Sequence, residues 1–437
     1  MGARGNAVSQ PFHLVIVGMG KVGQPLSAWA SSRGLRVTGV DIDPVVVEKV
    51  NAGHVSFDEQ GMAPLIAKAV ETGLLSATTD LATASASADA VIVIVPALVD
   101  ERKQIDLSAV MSVTQTLAHC LPSGALVAYE TTLPIGATRS KIAPVFTAEG
   151  RKIDEDIFIV YSPERIKSRQ ALWQFANVPK IVGAYGPSSR EGGLDFYRRL
   201  FDRRVIDVGS LENAEAAKLV DMAYRDVNIA LVNELSEYLA AAGVDIYTVI
   251  PAANTHRESH LHQPGVGVGG HCTPVYPWFM INDARRREKP LLLMESARAI
   301  NDRQAERAVA SVATALGEIP ETRLMIMGLA FRPDVPNDTL SPAYLVRDAA
   351  RRLGWQVLLC DPYFSDAYIG NAGFKPTRHD APGHIDAVIM VTAHAAFLPL
   401  DFEGLARRGV KVFYDGRNAA SSEETATAGI IYRSPAT

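Results

Sequence analysis

The chain has 437 residues, 48% hydrophobic and 21% charged, with 33 Gly and 25 Pro. This is globular composition, neither disordered nor low in complexity, and at about 150 residues per domain it allows roughly three. A net charge of −5 argues against nucleic acid or an anionic membrane as partner, because both attract basic surfaces.

No apolar run reaches the ~18 residues of a spanning helix, and the N-terminal MGARGNAVSQ has no signal-peptide core. The three cysteines, Cys120, Cys272 and Cys360, are too few and scattered for a disulfide framework, so a cytoplasmic enzyme or binding protein is expected.

The apolar run His13–Val17 ends in Gly18-Met19-Gly20-Lys21-Val22-Gly23 and passes into a helical stretch to about Ser32. Further apolar strands are predicted over Arg36–Val40, stopping at Asp41, over 90–95, ending at Pro96, and over Leu126–Tyr129, entering Glu130-Thr131-Thr132-Leu133-Pro134. Continuously apolar strands alternating with helices predict a parallel sheet covered on both faces. Residues 212–242 carry no Gly or Pro and predict one helix over ~40 Å long. Its mostly apolar circumference suggests burial against a second copy of the chain.

The grammar then repeats. Strands are predicted over Arg323–Met327, before Gly328, and over Gln356–Cys360, before Asp361, with a helix over 344–353 between them. The tetrapeptide Asp-Ala-Val-Ile opens a strand in each half, at 89–92 and 386–389. The fold class expected is α/β: two Rossmann-like doubly wound domains joined by a long central helix. The boundaries expected are 1–205 for an NAD-binding domain, 206–305 for a helical dimerisation region with a glycine-rich cysteine loop, and 306–437 for a second, nucleotide-sugar-binding domain.

Gly18-x-Gly20-x-x-Gly23 follows a strand, opens a helix and is answered by Asp41 at the end of the next strand, roughly 20 residues on. The first glycine allows the tight turn, the second lets backbone approach a pyrophosphate, and the third lets helix and strand pack. The phosphates rest on the helix N-terminus. An acid at Asp41 accepts ribose hydroxyls and repels a 2′-phosphate, which favours NAD over NADP. Gly328-Leu329-Ala330-Phe331 lacks the triplet, so the second half is expected to hold something else.

Residues 264–274 read Pro-Gly-Val-Gly-Val-Gly-Gly-His-Cys-Thr-Pro. Glycine there implies backbone in close approach to a ligand, and Cys272, flanked by His271, suits a thiolate nucleophile. Cys120 and Cys360 read as inert buried thiols. His256, His260, His262, His271 and Cys272 lack the pairing of a zinc site, and no metal is expected.

Together these segments resemble the UDP-glucose/UDP-N-acetylmannosamine (nucleotide-sugar) 6-dehydrogenase family. The matching stretches are 18–23, 130–134, Ser162-Pro163-Glu164-Arg165, 218–234 with Arg225-Asp226-Val227-Asn228-Ile229-Ala230, 265–274, and Gly328-Leu329-Ala330-Phe331-Arg332-Pro333. Ser-Pro-Glu-Arg and Arg-Asp-Val-Asn-Ile-Ala resemble the N-acetylhexosamine branch. The resemblance implies oxidation of the sugar C6 alcohol to the carboxylate with two NAD and one water. It implies Cys272 as nucleophile on the C6 aldehyde, Glu164 as acid/base in thioester hydrolysis, Lys218 stabilising charge on the C6 oxygen, and Thr132 near the nicotinamide and water. It places Gly18, Gly20, Val22, Gly23, Asp41, Pro96 and Thr131 on NAD. On the nucleotide sugar it places Arg165, Gly269, Arg332, Phe331, His260 and Tyr276, with a homodimer formed through the central helix. Arg332 replaces a family lysine and keeps a cation facing diphosphate.

The departures from the family pattern are Tyr276 for an aspartate, Met222 for an asparagine that holds sugar and water, Thr339 for an arginine, His256-Arg257-Glu258 for His-Pro-Arg, and Arg169 for a frequent glycine. Tyr276 cannot supply a carboxylate. Met222 implies an altered substrate or a plain core position. A second reading, a two-electron dehydrogenase or an impaired nucleotide-sugar-binding homologue, rests on those two residues.

Overall fold

The computed structural model describes residues 12–437 except 58, 101–102, 168, 203, 318–320 and 381–382. The chain divides into two compact units, Met1–Val220 and Asp221–Thr437. The 31-residue helix Leu211–Ala241 runs through the division. Its uninterrupted Ala- and Leu-rich sequence and the acid Glu212 in its first turn suit a helix of this length.

In the first unit the strands are β1 (His13–Val17), β2 (Arg36–Val40), β3 (Leu75–Thr78), β4 (Ala90–Val93), the short hairpin pair β5 (Leu98–Val99) and β6 (Ile105–Asp106), then β7 (Leu126–Tyr129), β8 (Phe158–Tyr161), β9 (Lys180–Ala184) and β10 (Val205–Ser210). The main sheet has the order β10-β9-β8-β7-β4-β1-β2-β3. β1 is buried throughout, and its side chains alternate between two cores. Leu14 and Ile16 join Leu26, Ile66 and Phe196 on one face, while Val15 and Val17 join Val110, Leu117 and Phe146 on the other. This two-sided burial is why the strand reads as an unbroken apolar run.

The sheet is not wholly parallel, as the sequence had suggested. β8 pairs antiparallel with β9, with Val160 opposite Ala184 and Tyr161 opposite Gly183. The chain turns back through the helix Ala171–Asn177, whose first N–H groups are held by the buried Glu59: Oε1 accepts from Ala171 N at 2.8 Å and Oε2 from Arg169 N at 2.6 Å. Because β9 runs in reverse, its first residue, Lys180, lies level with the carboxyl ends of the parallel strands.

The second unit carries β11 (Arg323–Met327), β12 (Gln356–Cys360), β13 (Lys375–Pro376), β14 (Ala387–Met390), β15 (Val412–Asp415) and β16 (Ile431–Arg433). Their order is β13-β12-β11-β14-β15-β16 and every pair is parallel. This is the order of β3-β2-β1-β4-β7-β8, so the two units are doubly wound alike. The repeated tetrapeptide has a structural cause. Asp89 Oδ2 accepts the first N–H of β1, from His13, at 2.7 Å, and Asp386 Oδ2 accepts that of β11, from Arg323, at 2.8 Å. Gly18 N bonds Val40 O at 2.8 Å, and Gly328 N bonds Cys360 O at 2.9 Å.

Candidate functional site

The glycine turn after β1 sorts its three glycines by what surrounds them. Gly18 has a φ of +101°, and a Cβ there would stand 2.9 Å from Ile94 O. A Cβ on Gly23 would stand 1.9 Å from Gly18 O, so the helix Gly23–Ser32 packs on the turn only without one. A Cβ on Gly20 meets nothing within 4 Å, and this exposed backbone is where space remains for a ligand's phosphates. Asp41 caps the turn from the end of β2, accepting from Met19 N at 2.8 Å and Asp43 N at 3.0 Å. Its carboxylate stays half-exposed. Val22 is half-buried and Pro96 exposed, while Thr131 Oγ1 ties the end of β7 to Val95 O at 2.5 Å. These residues fit a dinucleotide laid across the carboxyl ends of the strands.

Beside the turn, the ends of β7 and β8 bring Glu130, Thr131, Thr132 and the 162–165 segment together. Thr131, Thr132 and, on the long helix, Lys218 are buried. Glu164 Oε1 accepts from Arg165 N at 2.6 Å and Ile166 N at 2.8 Å. Its Oε2 accepts from Lys180 Nζ at 2.8 Å, and the same nitrogen donates to Glu130 Oε2 at 2.7 Å. Tyr197 OH donates to Glu130 Oε1 at 2.6 Å. Burial pushes the Glu130 carboxyl up to about 7, only partly offset by the Lys180 charge. Burial acts on Glu164 in the same sense, but Lys180 and the two N–H donors outweigh it and hold that carboxyl below its ordinary value. Burial works against the Lys180 charge, yet the two carboxylates raise its pKa. A cavity of about 20 Å³, lined by Glu164, Arg165, Gln174, Phe175, Lys180 and Phe201, adjoins the pair and has room for one water. The Arg165 guanidinium donates to Pro179 O.

The sequence reading did not reach Lys180, Glu130 or Tyr197 as site residues. Glu130 stood inside a quoted motif without a role, and Lys180 is a single lysine opening an apolar strand. The available signal was that lysine's burial cost: a strand as apolar as 180–184 does not take in a cation without acids to meet it.

In the second unit the cysteine loop is held from behind. Gly265 N donates to Asn233 Oδ1 at 2.9 Å, Asn233 Nδ2 to Asn301 Oδ1 at 2.9 Å, Asn301 Nδ2 to Asp226 Oδ1 at 2.9 Å, and Arg298 Nη1 to Asp226 Oδ1 at 2.5 Å. The loop glycines were expected to face a ligand. At two of them protein fills the space. A Cβ on Gly269 would lie 2.6 Å from Phe331 Cβ and 3.0 Å from Pro342 Cδ, and one on Gly270, at φ +89°, 3.0 Å from Phe331 Cε2. Gly270 N donates to Thr339 O at 2.8 Å. The glycines are therefore needed to seat the loop on the 331–342 segment, which brings Gly269, Phe331 and the half-buried Arg332 together. Cys272 is half-buried, and its carbonyl accepts from Val275 N at 3.1 Å and Tyr276 N at 2.9 Å, opening the helix Tyr276–Arg286. The Tyr276 ring meets Phe279 edge-on at 5.4 Å. Met222 is 3% exposed. His260 is exposed, and its carbonyl accepts from Asn228 Nδ2 at 2.8 Å.

Asp361, at the end of β12, stands where Asp41 stands in the first unit, but its lone pairs are taken. Oδ2 accepts from Leu329 N at 2.7 Å, Ala330 N at 3.0 Å and His394 Nε2 at 3.0 Å. His394 is fully buried and takes Asp334 N–H on Nδ1 at 3.0 Å, which leaves its proton on Nε2. Asp361 Oδ2 is thus engaged within the protein, while Oδ1 accepts from Tyr363 N at 2.8 Å. A cavity of about 700 Å³ near His379, His384, Asp401 and Arg408 touches none of the site residues expected from sequence.

The NAD binding domain of the UDP-glucose/GDP-mannose dehydrogenase family matches residues 12–201, its central domain 212–303, and its UDP binding domain 325–422. The chain belongs to this family. It is 31% identical over 404 residues to an NDP-N-acetyl-D-galactosaminuronic acid dehydrogenase of Ralstonia nicotianae, covering 90% of this chain and 94% of that one. It is 32% identical over 400 residues to the UDP-N-acetyl-D-mannosamine dehydrogenase of Escherichia coli K12, covering 87% and 93%. The solved UDP-D-ManNAc dehydrogenase of Pyrococcus horikoshii superposes with a TM-score of 0.89 at 26% identity, covering 97% of this chain and 99% of that one. The chain is therefore an NAD-dependent oxidoreductase of nucleotide sugars, nearest the N-acetylhexosamine branch. Among the described residues, no helix is long and apolar enough to cross a membrane.

Proposed function

We propose that the protein oxidises the C6 alcohol of a UDP-N-acetylhexosamine to the uronate, removing four electrons through a covalent intermediate on Cys272. The observation that supports this most is the seating of Gly269 and Gly270 against Phe331 with Cys272 just before the opening of a helix, where the dipole favours an anion. NAD, when bound, supplies the hydride acceptor for both oxidations. Gly18, Gly20, Val22, Gly23, Asp41, Pro96 and Thr131 hold it, with Thr132 beside the nicotinamide.

Lys218 stabilises the negative charge on the C6 oxygen as its proton passes to solvent and one C6 hydrogen is lost as hydride, which leaves the aldehyde. The Cys272 sulfur adds to the aldehyde carbon, giving a thiohemiacetal that still carries one C6 hydrogen. Loss of that hydrogen as hydride leaves a thioester. Glu164 takes a proton from water as its oxygen attacks the thioester carbonyl, and the sulfur leaves as thiolate. Arg165, Gly269, Arg332, Phe331, His260 and Tyr276 bind the nucleotide sugar, with Arg332 on the diphosphate. Tyr276 acts as a hydrogen-bond donor rather than a base. The protein works in the cytoplasm in making an acidic sugar for polysaccharide or a secondary metabolite.

We further propose a homodimer through the central helix. Tyr224, Leu231 and Tyr238 recur on one face of it, 49%, 44% and 69% exposed, an apolar stripe that a second copy would cover.

The test is stoichiometry across UDP-N-acetylmannosamine, UDP-N-acetylgalactosamine, UDP-glucose and GDP-mannose. Two NADH per sugar and a uronate by mass are expected with an N-acetylhexosamine. One NADH and an accumulating aldehyde would favour the two-electron reading; the burial of Met222 fits a plain core position instead.

A further inference from the structure

The triad Glu130–Lys180–Glu164 is the most deeply buried charge cluster of the first unit that the proposed chemistry leaves unexplained. Its members come from the end of β7, the start of the reversed strand β9 and the segment after β8. Tyr197 closes it from the helix Pro187–Phe201, and Arg165 is the further charged neighbour, bound to Pro179 O. The Lys180 side chain is 7% exposed, Glu130 fully buried and Glu164 11% exposed. One cation shared by two buried carboxylates leaves a surplus negative charge, and such a charge in a dry site attracts a proton.

The two carboxylates do not compete for that proton equally. Glu164 accepts two backbone N–H bonds besides Lys180, all of which favour its ionised form. Among the described residues, the Glu130 carboxylate accepts only from Lys180 and a phenol hydroxyl, and that phenol still donates to a neutral carboxyl's carbonyl oxygen. Both oxygens of Glu164 are also fixed in direction, so its plane is set by donors on two sides.

We infer that Lys180 and Glu130 are positioning residues for Glu164: the lysine, anchored from behind by Glu130, holds the Glu164 carboxylate ionised and in one orientation, while Glu130 takes up the proton that the cluster attracts. The reversal of β9 is what allows this, since a parallel strand would begin at the opposite edge of the sheet. The catalytic meaning rests on the reading of Glu164 given above; the protonation pattern does not.

Infrared titration of the folded protein in D2O reads the pattern directly. The carbonyl band of a protonated carboxyl is expected to grow as pH falls through neutrality, to vanish in Glu130→Gln, and to appear only at lower pH in Glu164→Gln, where the surplus charge is gone. Retention of the band in Glu130→Gln, or no such band in the wild type, would overturn the inference. Activity gives a second readout: Lys180→Arg keeps the acid limb of the kcat profile, and Lys180→Gln moves it to higher pH. Equal limbs in the two variants would overturn it. Should Lys180→Gln not fold, as the loss of one partner of a buried ion pair can cause, the infrared result decides. If Glu164→Gln makes uronate at the wild-type rate, the role given to Glu164 fails while the protonation pattern stands.

Discussion

Arg169 sits at a φ of +67°, the left-handed region in which glycine is unstrained. The sequence marked this position only as a departure from the expected family pattern, and the backbone takes up the conformation in which a glycine would be unstrained. Arg169→Gly is expected to stabilise the first unit by ~1 kcal/mol in urea unfolding, the relief of strain exceeding the added chain entropy; a loss of stability would contradict this. Glu130 gives a pH signature with a definite sign. Its carboxyl titrates at about 7 when folded, against 4.5 ordinarily, so between those values the folded protein binds a proton that the unfolded chain does not. Its contribution to stability is therefore fully present below about 4.5 and is lost as pH rises through about 7. Glu164 acts oppositely, contributing above the ordinary glutamate value and losing that contribution as pH falls through its lowered one. Glu130→Gln should flatten the decline in Tm on the way from pH ~5 to pH ~7.5; an unchanged slope would show that Glu130 is not the titrating group.

At the scale of elements, β1, β2, β7, β11 and β12 could be read from the sequence because each is buried on both faces and ends at a glycine or an acid with a structural task. Asp89 and Asp386 illustrate how far this legibility went. Their repeated tetrapeptide marked equivalent strands, although only the structure reveals that each aspartate holds the first N–H of the neighbouring strand. Asp89→Ala or Asp386→Ala should each cost ~1–3 kcal/mol by stranding that N–H, measurable by denaturant unfolding. The reversal of β9 was not legible, because periodicity records burial and not direction. For the same reason Lys180 was missed: its meaning depends on which edge of the sheet its strand begins from. The long helix was readable in its length, and its exposed Tyr224, Leu231 and Tyr238 make the dimer testable. If the proposed dimer forms through this face, Leu231→Glu with Tyr238→Glu halves the mass found by light scattering; a monomeric mass in the wild type or an unchanged mass in the variant would contradict it.

In the whole molecule, one fold is used twice with opposite outcomes at the same position. Asp41 remains half-exposed after β2, whereas Asp361 after β12 is occupied by His394 and three backbone N–H groups. The missing glycine triplet had already signalled that the second unit holds a different ligand, but the plug was not readable, since His394 lies far along the chain from the acid it meets. The cysteine loop was read as glycines facing a ligand, but Gly269 and Gly270 are small to admit Phe331. The central claim is that Cys272 carries the sugar as a thioester which Glu164 helps to hydrolyse. Mixing Glu164→Gln with NAD and UDP-N-acetylhexosamine, quenching in acid and mapping peptides by mass tests it most directly. A uronyl adduct on the Cys272 peptide, absent from Cys272→Ser, is predicted; uronate released with no adduct on Cys272, or undiminished in Cys272→Ser, would contradict it.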